Sequence, residues 1–253
     1  MCTLVILRRP GHEWPVLVAT NRDELLKRQW LPPARHWEDR PSILGGLDLE
    51  AGGSWLGIND YGVLAGILNR TGSLGPQPNK RSRGELVLEA LDHADSSSAA
   101  EALSALNGAA YRPFNMIIAD NRDAFWLAHR DDLSSDAIQV QPIPPGLSMI
   151  TAWDINDKRS PRIRTYLPLF RRATEPKPDS DDWQSWKKLL ASPVFRPVDG
   201  PTEAMRICTD TGFGTTSSSL IGLPSLEATG MPAIWHFATG YPKPSPYSPI
   251  VFS

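Results

Sequence analysis

Two apolar runs at the start of the chain predict an antiparallel hairpin. Residues 2–8 and 15–20 are rich in valine, isoleucine and leucine, and Pro10 and Gly11 stand between them in a sequence typical of a turn. Strands joined by so short a connection pair directly with each other. The hairpin therefore brings the beginning of the first strand close to the end of the second.

A polar cluster, Asn21-Arg22-Asp23-Glu24, follows the second strand. Asn21 or the threonine before it has the side chain of a helix N-cap, and Glu24 stands where a capping box places its carboxylate. That pattern predicts a helical turn that continues to Lys27. The same four residues would lie close to Cys2 in the hairpin, and their polarity is typical of a catalytic site. The sequence leaves both interpretations open.

The middle of the chain predicts more strands and then two helices. The segment 43–59 is rich in glycine but alternates apolar residues, which is typical of short strands with bulges, and 63–69 predicts another buried strand. The prolines within 31–42 indicate a loop. Apolar residues at helical spacing predict helices over 84–91 and 98–106.

Strand and helix patterns continue to the C-terminus. We expect strands at 114–120, 124–129, 137–141, 147–150, 215–223 and 233–238, helices at 160–172 and 181–191, and an extended proline-rich tail at 241–249. Strands and helices do not alternate strictly, so their order favours an α+β layered fold over a doubly wound one. The chain shows no internal repeat and no linker, and we expect one domain over residues 1–253.

Composition restricts the classes of function. The 253 residues are 41% hydrophobic and 21% charged, and 26 basic against 28 acidic residues leave a net charge of −2. This balance argues against a nucleic-acid partner. No apolar run approaches the roughly 18 residues of a membrane-spanning helix, so no integral membrane segment is expected. Two cysteines do not make a disulfide framework, and we expect a cytoplasmic protein.

Motifs for metals and cofactors are missing from the sequence. The five histidines have no ligand spacing with each other or with the cysteines, so no metal site is expected. The glycine pairs at 45–46 and 52–53 do not belong to a nucleotide-binding loop, and the serines at 217–219 lack a G-x-S-x-G elbow. We therefore predict no cofactor, and a small-molecule substrate or ligand as the partner.

Cys2 is the first candidate for chemistry. Removal of the initiator methionine would leave a free α-amino group on the same residue as the thiol. That amine, with a reference pKa of about 7.7–8.0, is able to take the thiol proton, so an N-terminal cysteine carries its own general base. The alternative is a small buried side chain at the start of a strand, which is how free cysteine often occurs.

The polar cluster supplies matching groups. Arg22 is suited to hold a thiolate or a substrate carboxylate, Asp23 to orient the α-ammonium, and Asn21 to donate to a developing oxyanion. A helix cap with solvated charges is the competing interpretation of the same residues.

Further polar and aromatic residues are candidates for substrate binding. Asn69 and Arg70 end a predicted strand and Asn115 begins another, and function concentrates where strands meet loops. Trp55 is suited to form an apolar wall. Glu24, the last residue of the polar cluster, completes the predicted substrate-binding set.

Several motifs together resemble a known family. They are Cys2, Asn21-Arg22-Asp23-Glu24, the segment from Ile43-Leu44-Gly45-Gly46 to Gly52-Gly53-Ser54-Trp55-Leu56-Gly57, Ser82-Arg83-Gly84-Glu85-Leu86, Phe114-Asn115, and Gly214-Thr215-Thr216-Ser217-Ser218-Ser219. The chain resembles the NRDE family, also called the transport and Golgi organisation 2 family, over nearly its whole length. That family is similar to the N-terminal nucleophile hydrolases, particularly the cysteine enzymes that cleave non-peptide amides such as penicillins and bile-salt conjugates.

The resemblance implies a fold and a set of roles. The fold is a four-layer αββα sandwich. Cys2 would be the nucleophile, Asp23 would hold its α-amino group, and Arg22 and Asn21 would complete the site.

The chain departs from the family pattern at two positions. Met149 ends a Gly-Leu-Ser motif that many members complete with asparagine, and Thr216 follows a Gly-Thr motif that many complete with arginine. Hydrolases of the cysteine branch use an asparagine and an arginine in similar places.

Three hypotheses about function follow. The first is a cysteine hydrolase that cleaves a non-peptide amide or an acyl thioester, with Cys2 as the nucleophile. The second, implied by the resemblance, is a non-catalytic carrier that uses the same pocket in haem trafficking or in acyl-CoA and lipid handling. The third is a scaffold that has kept the fold without the chemistry.

Overall fold

The computed structural model describes residues 2–130, 137–228, 230–240 and 244–252. The strands, in chain order, are β1 Thr3–Arg8, β2 Val16–Leu25, β3 Trp30–Ala34, β4 Ile43–Asp48, β5 Leu56–Asn59, β6 Leu64–Asn69, β7 Phe114–Ala119, β8 Ala124–His129, β9 Gln139–Pro142, β10 Gly146–Ile150, β11 Phe213–Leu223, β12 Ile234–Thr239 and β13 Ser248–Pro249. The helices are α1 Gly84–Leu91, α2 Ser96–Ser104, α3 Pro161–Arg172 and α4 Gln184–Leu190. Short 3-10 turns cover Gly108–Ala110, Pro178–Ser180 and Pro201–Glu203.

The chain forms two compact units. The first consists of Met1–Arg28 with Pro144–Ser253, and the second of Gln29–Ile143. Each unit combines an antiparallel sheet with two α-helices, so the α+β class expected from the sequence is confirmed. The single-domain boundary over 1–253 stays a prediction.

The first unit contains a six-stranded sheet with the order β10-β1-β2-β11-β12-β13. Helices α3 and α4 pack against one face of this sheet. Their shared core includes Val5, Leu7, Leu17, Ala19, Met149 and Leu220 from the strands, Ile163, Tyr166, Leu167, Phe170, Trp186 and Leu190 from the helices, and Trp183 directly before α4. Because neighbouring residues of a strand face opposite sides, the odd-numbered residues of β1 and β2 are the ones that face the helices.

Helix α3 begins directly after Ser160, close to the start of the helix expected over 160–172. The Ser160 hydroxyl accepts a hydrogen bond from the Ile163 N–H, and Pro161 occupies the first helical position, where its missing N–H costs nothing. Ile163, Tyr166 and Phe170 recur at helical spacing and pack on the sheet. Arg162 on the same helix is fully buried, and its partners lie in the site described below.

The second unit is a seven-stranded meander in which β3 to β9 follow each other in sequence order. Helices α1 and α2 pack against it, with a core that includes Leu86, Val87, Leu91, Leu103, Phe114, Met116 and Ile118. The strands expected within the glycine-rich segment 43–59 and over 63–69 are confirmed as β4, β5 and β6 of this meander. None of the helices that the structure describes is long and apolar enough to cross a membrane.

Two of the sequence-based expectations are wrong. The helical turn predicted to continue to Lys27 does not form, because β2 extends through the polar cluster and pairs with β11 as far as Leu25. The distant strand supplies backbone partners that outweigh the local capping signal. The loop predicted over 31–42 contains most of β3, which pairs with β4 and tolerates its two prolines because it is an edge strand.

Close packing between two glycines in the second unit gives a stability prediction. A Cβ atom on Gly53 would lie 2.5 Å from the carbonyl carbon of Gly84, and this backbone has little room to move. We expect Gly53→Ala to lower the free energy of unfolding by about 1–3 kcal/mol, the usual cost of overpacking. Urea denaturation measures this change.

Gly57→Ala is the matched control. The nearest atom to a Cβ there, at 2.7 Å, is Cδ1 of Leu91, the end of a flexible side chain. We expect Gly57→Ala to lower the free energy of unfolding by less than Gly53→Ala does. Equal decreases for the two variants would show that contact with the backbone does not determine the loss of stability.

Candidate active site

The β1–β2 register brings Cys2 to the polar cluster. Thr3 pairs with Asn21, so Cys2 stands beside the next residues of β2. Its Sγ accepts a hydrogen bond from the Asp23 backbone N–H at 3.4 Å and lies 3.5 Å from the Asp23 carbonyl oxygen, to which the thiol donates. The meeting of thiol and polar cluster that the hairpin predicts is therefore present.

The two faces of the sheet carry different parts of the site. Asn21 and Asp23 are odd-numbered and direct their side chains to the face that carries α3 and α4, while Arg22 between them occupies the other face. Thr3 belongs to the α3 face, because its hydroxyl accepts from Arg162. Alternation along β1 then directs the Cys2 side chain toward the face of Arg22.

A buried ion pair fixes the Asp23 carboxylate. Its Oδ2 accepts from Nη1 of Arg162 at 2.8 Å, and both side chains are 0% exposed. Its Oδ1 accepts from the Thr215 hydroxyl at 2.6 Å. Arg162 also donates to the Thr3 hydroxyl and to the Thr202 carbonyl, each at 2.6 Å. A charge this deeply buried is stable only with such partners, so the carboxylate is held rigidly behind the β1–β2 pair.

A β-bulge in β11 supplies hydroxyl groups to neighbouring residues of β2. The register shifts between Thr215 and Ser217, so that Thr216 is the extra residue. The Thr215 hydroxyl reaches Asp23, while the Thr216 hydroxyl donates to the Arg22 carbonyl at 3.1 Å and accepts from its guanidinium at 3.2 Å. Without the extra residue one of these two contacts would be lost.

Gly240 allows the chain to pass close to this bulge. A Cβ atom there would lie 2.1 Å from the Thr215 carbonyl oxygen, and the Gly240 N–H donates to the Thr216 carbonyl at 2.8 Å. A glycine is therefore required at this position for the two threonines to keep their places.

Asn21 is fully buried and its amide is bonded to the protein itself. Nδ2 donates to the carbonyls of Leu190 and Met205 at 2.9 and 2.8 Å, and Oδ1 accepts from the Ser218 hydroxyl at 2.6 Å. These bonds join β2 to the end of α4 and to the segment before β11. The predicted role of Asn21 as an oxyanion donor stays a prediction, and it would require one of these bonds to open.

Burial raises the pKa of the Cys2 thiol, and the nearby Asp23 carboxylate raises it further. The Arg22 guanidinium lowers the thiol pKa, but by less than burial and Asp23 raise it. The resting thiol is therefore mainly neutral near pH 7, and a nucleophilic thiolate requires a base or an additional positive charge.

The remaining predicted residues are distributed over both units. Glu24 is half-buried in the first unit, with a carboxylate oxygen 3.9 Å from the Arg22 guanidinium. In the second unit, Arg70 donates to the side-chain oxygen of Asn115 at 2.6 Å. Asn69 stands next to Arg70 at the end of β6, and the Trp55 ring lies edge-to-face with another tryptophan. The structure therefore brings Arg70 and Asn115 together within their unit.

Three residues of the site had no clear signal in the sequence. Arg162 lies 139 residues from Asp23 along the chain, and nothing marks it as the polar residue of α3 that faces inward. Thr215 belongs to the motif 214–219, which resembles the family pattern but predicts no role for this residue. Gly240 follows a strand where a turn glycine is ordinary.

The two departures from the family pattern are explained by local packing. Met149 is buried in the apolar core under α3, and Asn156 binds the same strand instead, accepting from the Met149 N–H at 2.9 Å and donating to the Ser148 hydroxyl at 3.1 Å. Thr216 takes part in the bulge, and the buried guanidinium nearest to Asp23 comes from Arg162. Among the residues described, no group of three or more histidine, cysteine, aspartate or glutamate side chains is placed to hold a metal ion.

Comparison with known sequences identifies relatives for most of the chain. A family model described as Transport and Golgi organisation 2 matches residues 1–223. The Transport and Golgi organization protein 2 homolog of Bos taurus is 41% identical over 114 residues, and that of Homo sapiens is 40% identical over 111 residues. Each match covers 42% of this chain and 38% of the relative, so the chain spans less than half the length of the curated relatives it matches.

Solved structures share the fold at low sequence identity. The Caenorhabditis elegans ortholog of N-acylethanolamine-hydrolyzing acid amidase has a TM-score of 0.56 at 16% identity, covering 90% of this chain and 95% of that one. A single-site variant of conjugated bile acid hydrolase from Clostridium perfringens has a TM-score of 0.57 at 11% identity, covering 98% and 92%. Penicillin V acylase from Agrobacterium tumefaciens reaches 0.50 at 12% identity, covering 94% and 83%. The resemblance to N-terminal nucleophile hydrolases is confirmed at the level of the fold.

Removing the guanidinium behind Asp23 tests the importance of the buried pair. Arg162→Met leaves the carboxylate buried without its cation, and we expect the free energy of unfolding to fall by about 3–5 kcal/mol. Arg171→Met, on the exposed side of the same helix, should change it by less than about 0.5 kcal/mol. Urea denaturation of both variants gives the comparison. Similar values for the two would contradict a structural role for the pair.

The raised pKa of Cys2 predicts the pH dependence of its alkylation while Met1 is present. Because the folded state disfavours the thiolate, the midpoint of iodoacetamide alkylation should lie at higher pH than for the same thiol in unfolded protein. Peptide mass spectrometry separates Cys2 from the exposed Cys208, which reports on the reagent. A midpoint below that of the unfolded chain would contradict the electrostatic description.

Proposed function

The chain belongs to the Transport and Golgi organisation 2 family, and from its fold and site we propose that it is an N-terminal nucleophile cysteine hydrolase. Cys2 would attack the carbonyl of a non-peptide amide or an acyl thioester. The observation that carries this proposal is the contact of Cys2 Sγ with the Asp23 backbone N–H, directly in front of a carboxylate fixed by Arg162 and Thr215. The four-layer αββα sandwich and a cytoplasmic location form part of the same proposal.

The first step is activation of the thiol. Removal of Met1 would place an α-amino group on Cys2, and this amine would take the thiol proton. The resulting ammonium would stabilise the thiolate, and the Asp23 carboxylate would hold that ammonium. This step would offset the raised pKa that the thiol has while Met1 is present.

The chemical steps then follow from the thiolate. It would form a bond to the carbonyl carbon, and the α-ammonium would return its proton to the leaving amine or thiol as the carbon–nitrogen or carbon–sulfur bond breaks. Water would hydrolyse the acyl-cysteine and release the acid. Arg22 would orient a negatively charged part of the substrate. Asn21, predicted as the oxyanion donor, would have to leave its bonds on the α3 face of the sheet and reach the face of the Cys2 side chain to take this role.

The substrate class remains broad in this proposal. The proteins of the same fold are named for hydrolysis of N-acylethanolamines and conjugated bile acids and for acylase activity on penicillin V. Only the reaction class is carried over to this chain. Asn69, Arg70, Trp55, Asn115 and Glu24 are kept as proposed substrate-binding residues.

A mass and turnover experiment tests the hydrolase. The intact mass of the protein should show that Met1 has been removed. Reaction with a chromogenic acyl amide or thioester should then acylate Cys2, and peptide mass spectrometry should detect the acylated peptide. Cys2→Ala should lower turnover at least ~100-fold, as expected for loss of a nucleophile. Cys208→Ser, which changes the other and exposed cysteine, is the control and should leave turnover unchanged.

Two results would oppose this mechanism. Retention of Met1 in natively expressed protein would remove the proposed base. Full turnover by Cys2→Ala would show that another group performs the reaction.

A non-catalytic carrier of haem or an acyl-CoA-like ligand is the second candidate. The observation in its favour is the state of the polar groups: the thiol has a raised pKa, and both amide hydrogens of Asn21 are donated to carbonyls. Titration with haemin should then give a saturable change in the Soret band that depends on Arg22. A flat titration at micromolar protein concentration would reject the haem form of this candidate.

A further inference from the structure

The segment 202–207 runs along the site and contacts it at three places. The Thr202 carbonyl accepts from Arg162, the Met205 carbonyl accepts from Asn21 at 2.8 Å, and the Ile207 N–H donates to the Thr215 hydroxyl at 2.9 Å. Each contact reaches a residue that forms or supports the site. Side chains of this segment are therefore close to the groups that hold Asp23.

Glu203 belongs to this segment and has one unsatisfied oxygen. The Arg162 backbone N–H donates to its carboxylate, which lies near the start of α3. Its Oε2 atom is buried and has no hydrogen-bond partner in the part of the chain that the structure describes. A buried acceptor without a donor is costly, and one next to a reactive site suggests a donor that binds there.

The charges around Arg162 are not balanced. The carboxylates of Asp23 and Glu203 both interact with this one guanidinium. On the other face of β2, Arg22 already has Glu24 at 3.9 Å. This group of three on the α3 side therefore has one more negative charge than positive charge, and a cation bound there would restore the balance.

We propose that Glu203 is a positioning residue that binds the α-ammonium of Cys2 after Met1 is removed, together with Asp23. Thr3, the residue after Cys2, contacts the same Arg162 nitrogen as Asp23, so the chain start lies beside the arginine with which both carboxylates interact. An ammonium has three donors and suits two carboxylate oxygens. While Met1 is attached, the nitrogen of Cys2 is an amide with one N–H and no charge, so this pairing requires the processed chain.

The charged groups of this region define the titration. They are Asp23 on β2, Arg162 on α3, Glu203 on the turn 201–203, and Arg22 on the far face of β2. The Cys2 thiol, the α-amino group at the start of the chain, and Asp199, which is held by Arg164 and Arg196, complete the set. Burial raises the pKa of Glu203, and the Arg162 charge opposes this change. A bound ammonium would lower the pKa of Glu203, as the Arg162 charge does. In return, the Glu203 carboxylate would raise the pKa of the ammonium.

The inference rests on the proposed function, and its experiment is independent of turnover. The full chain is prepared with Cys2 as its first residue by proteolytic removal of an added leader, and intact mass confirms the product. Selective ¹⁵N-cysteine labelling gives signals for the two cysteines, of which Cys2 alone carries the α-amine. The midpoint of its ¹⁵N shift against pH is the pKa of that amine.

We expect Glu203→Gln to lower this midpoint by about one pH unit, because the amine loses a neighbouring carboxylate. Glu203→Asp keeps the charge and should recover most of the change. Glu227→Gln, which alters an exposed glutamate of the same unit, is the control and should leave the midpoint unchanged. If Glu203→Gln does not fold, the same midpoint is measured in Glu203→Ser, which removes the carboxylate and leaves a smaller side chain.

A midpoint in Glu203→Gln within about 0.2 pH unit of the unsubstituted chain would overturn the inference, since a carboxylate in contact shifts a pKa by more than that. The two proposals fail separately. A shifted midpoint without turnover supports Glu203 and counts against the hydrolase. Turnover with an unshifted midpoint supports the hydrolase and rejects the role of Glu203.

Discussion

The buried pair between Asp23 and Arg162 is the interaction on which the rest of the site depends. Both side chains are fully excluded from solvent, and Arg162 reaches β1, β2 and the turn before β11 through Thr3, Asp23 and Thr202. A buried carboxylate would be expensive without this guanidinium, and the guanidinium would be equally expensive without its acceptors. The pair therefore fixes α3 against the sheet and, by holding Asp23, fixes the backbone N–H that meets the Cys2 thiol.

The sheet separates support from reactivity. One face carries the ion pair, the Asn21 amide and the helices. The other face carries the Arg22 side chain, and the Cys2 side chain is directed toward it. The bulge at Thr216 serves both faces, because its extra residue allows neighbouring hydroxyls to reach Asp23 and Arg22. The resting thiol has a raised pKa in this arrangement, so formation of a thiolate near pH 7 requires a base or an additional positive charge near Cys2.

The sequence predicted those parts of the fold that depend on local pattern. The hairpin, the strands within 43–69 and the helix expected over 160–172 follow from apolar runs, glycines and helical spacing close together in the chain. The helical turn after Asn21 was predicted wrongly, because its capping signal is local whereas its strand partner, β11, lies about 190 residues away. Arg162 could not be found for the same reason: a buried arginine and an exposed one look alike until the helix is placed on the sheet. Cys2 and Asp23 were found because the hairpin that joins them is short.

The central claim is that an α-amine on Cys2 activates its thiol. The most direct test compares the rate of iodoacetamide alkylation of Cys2 at pH 7 in two folded chains, one that retains Met1 and one that begins at Cys2. We expect a rate at least ~10-fold higher in the chain that begins at Cys2, because its α-amine takes the thiol proton and stabilises the thiolate. Equal rates in the two chains would contradict this claim.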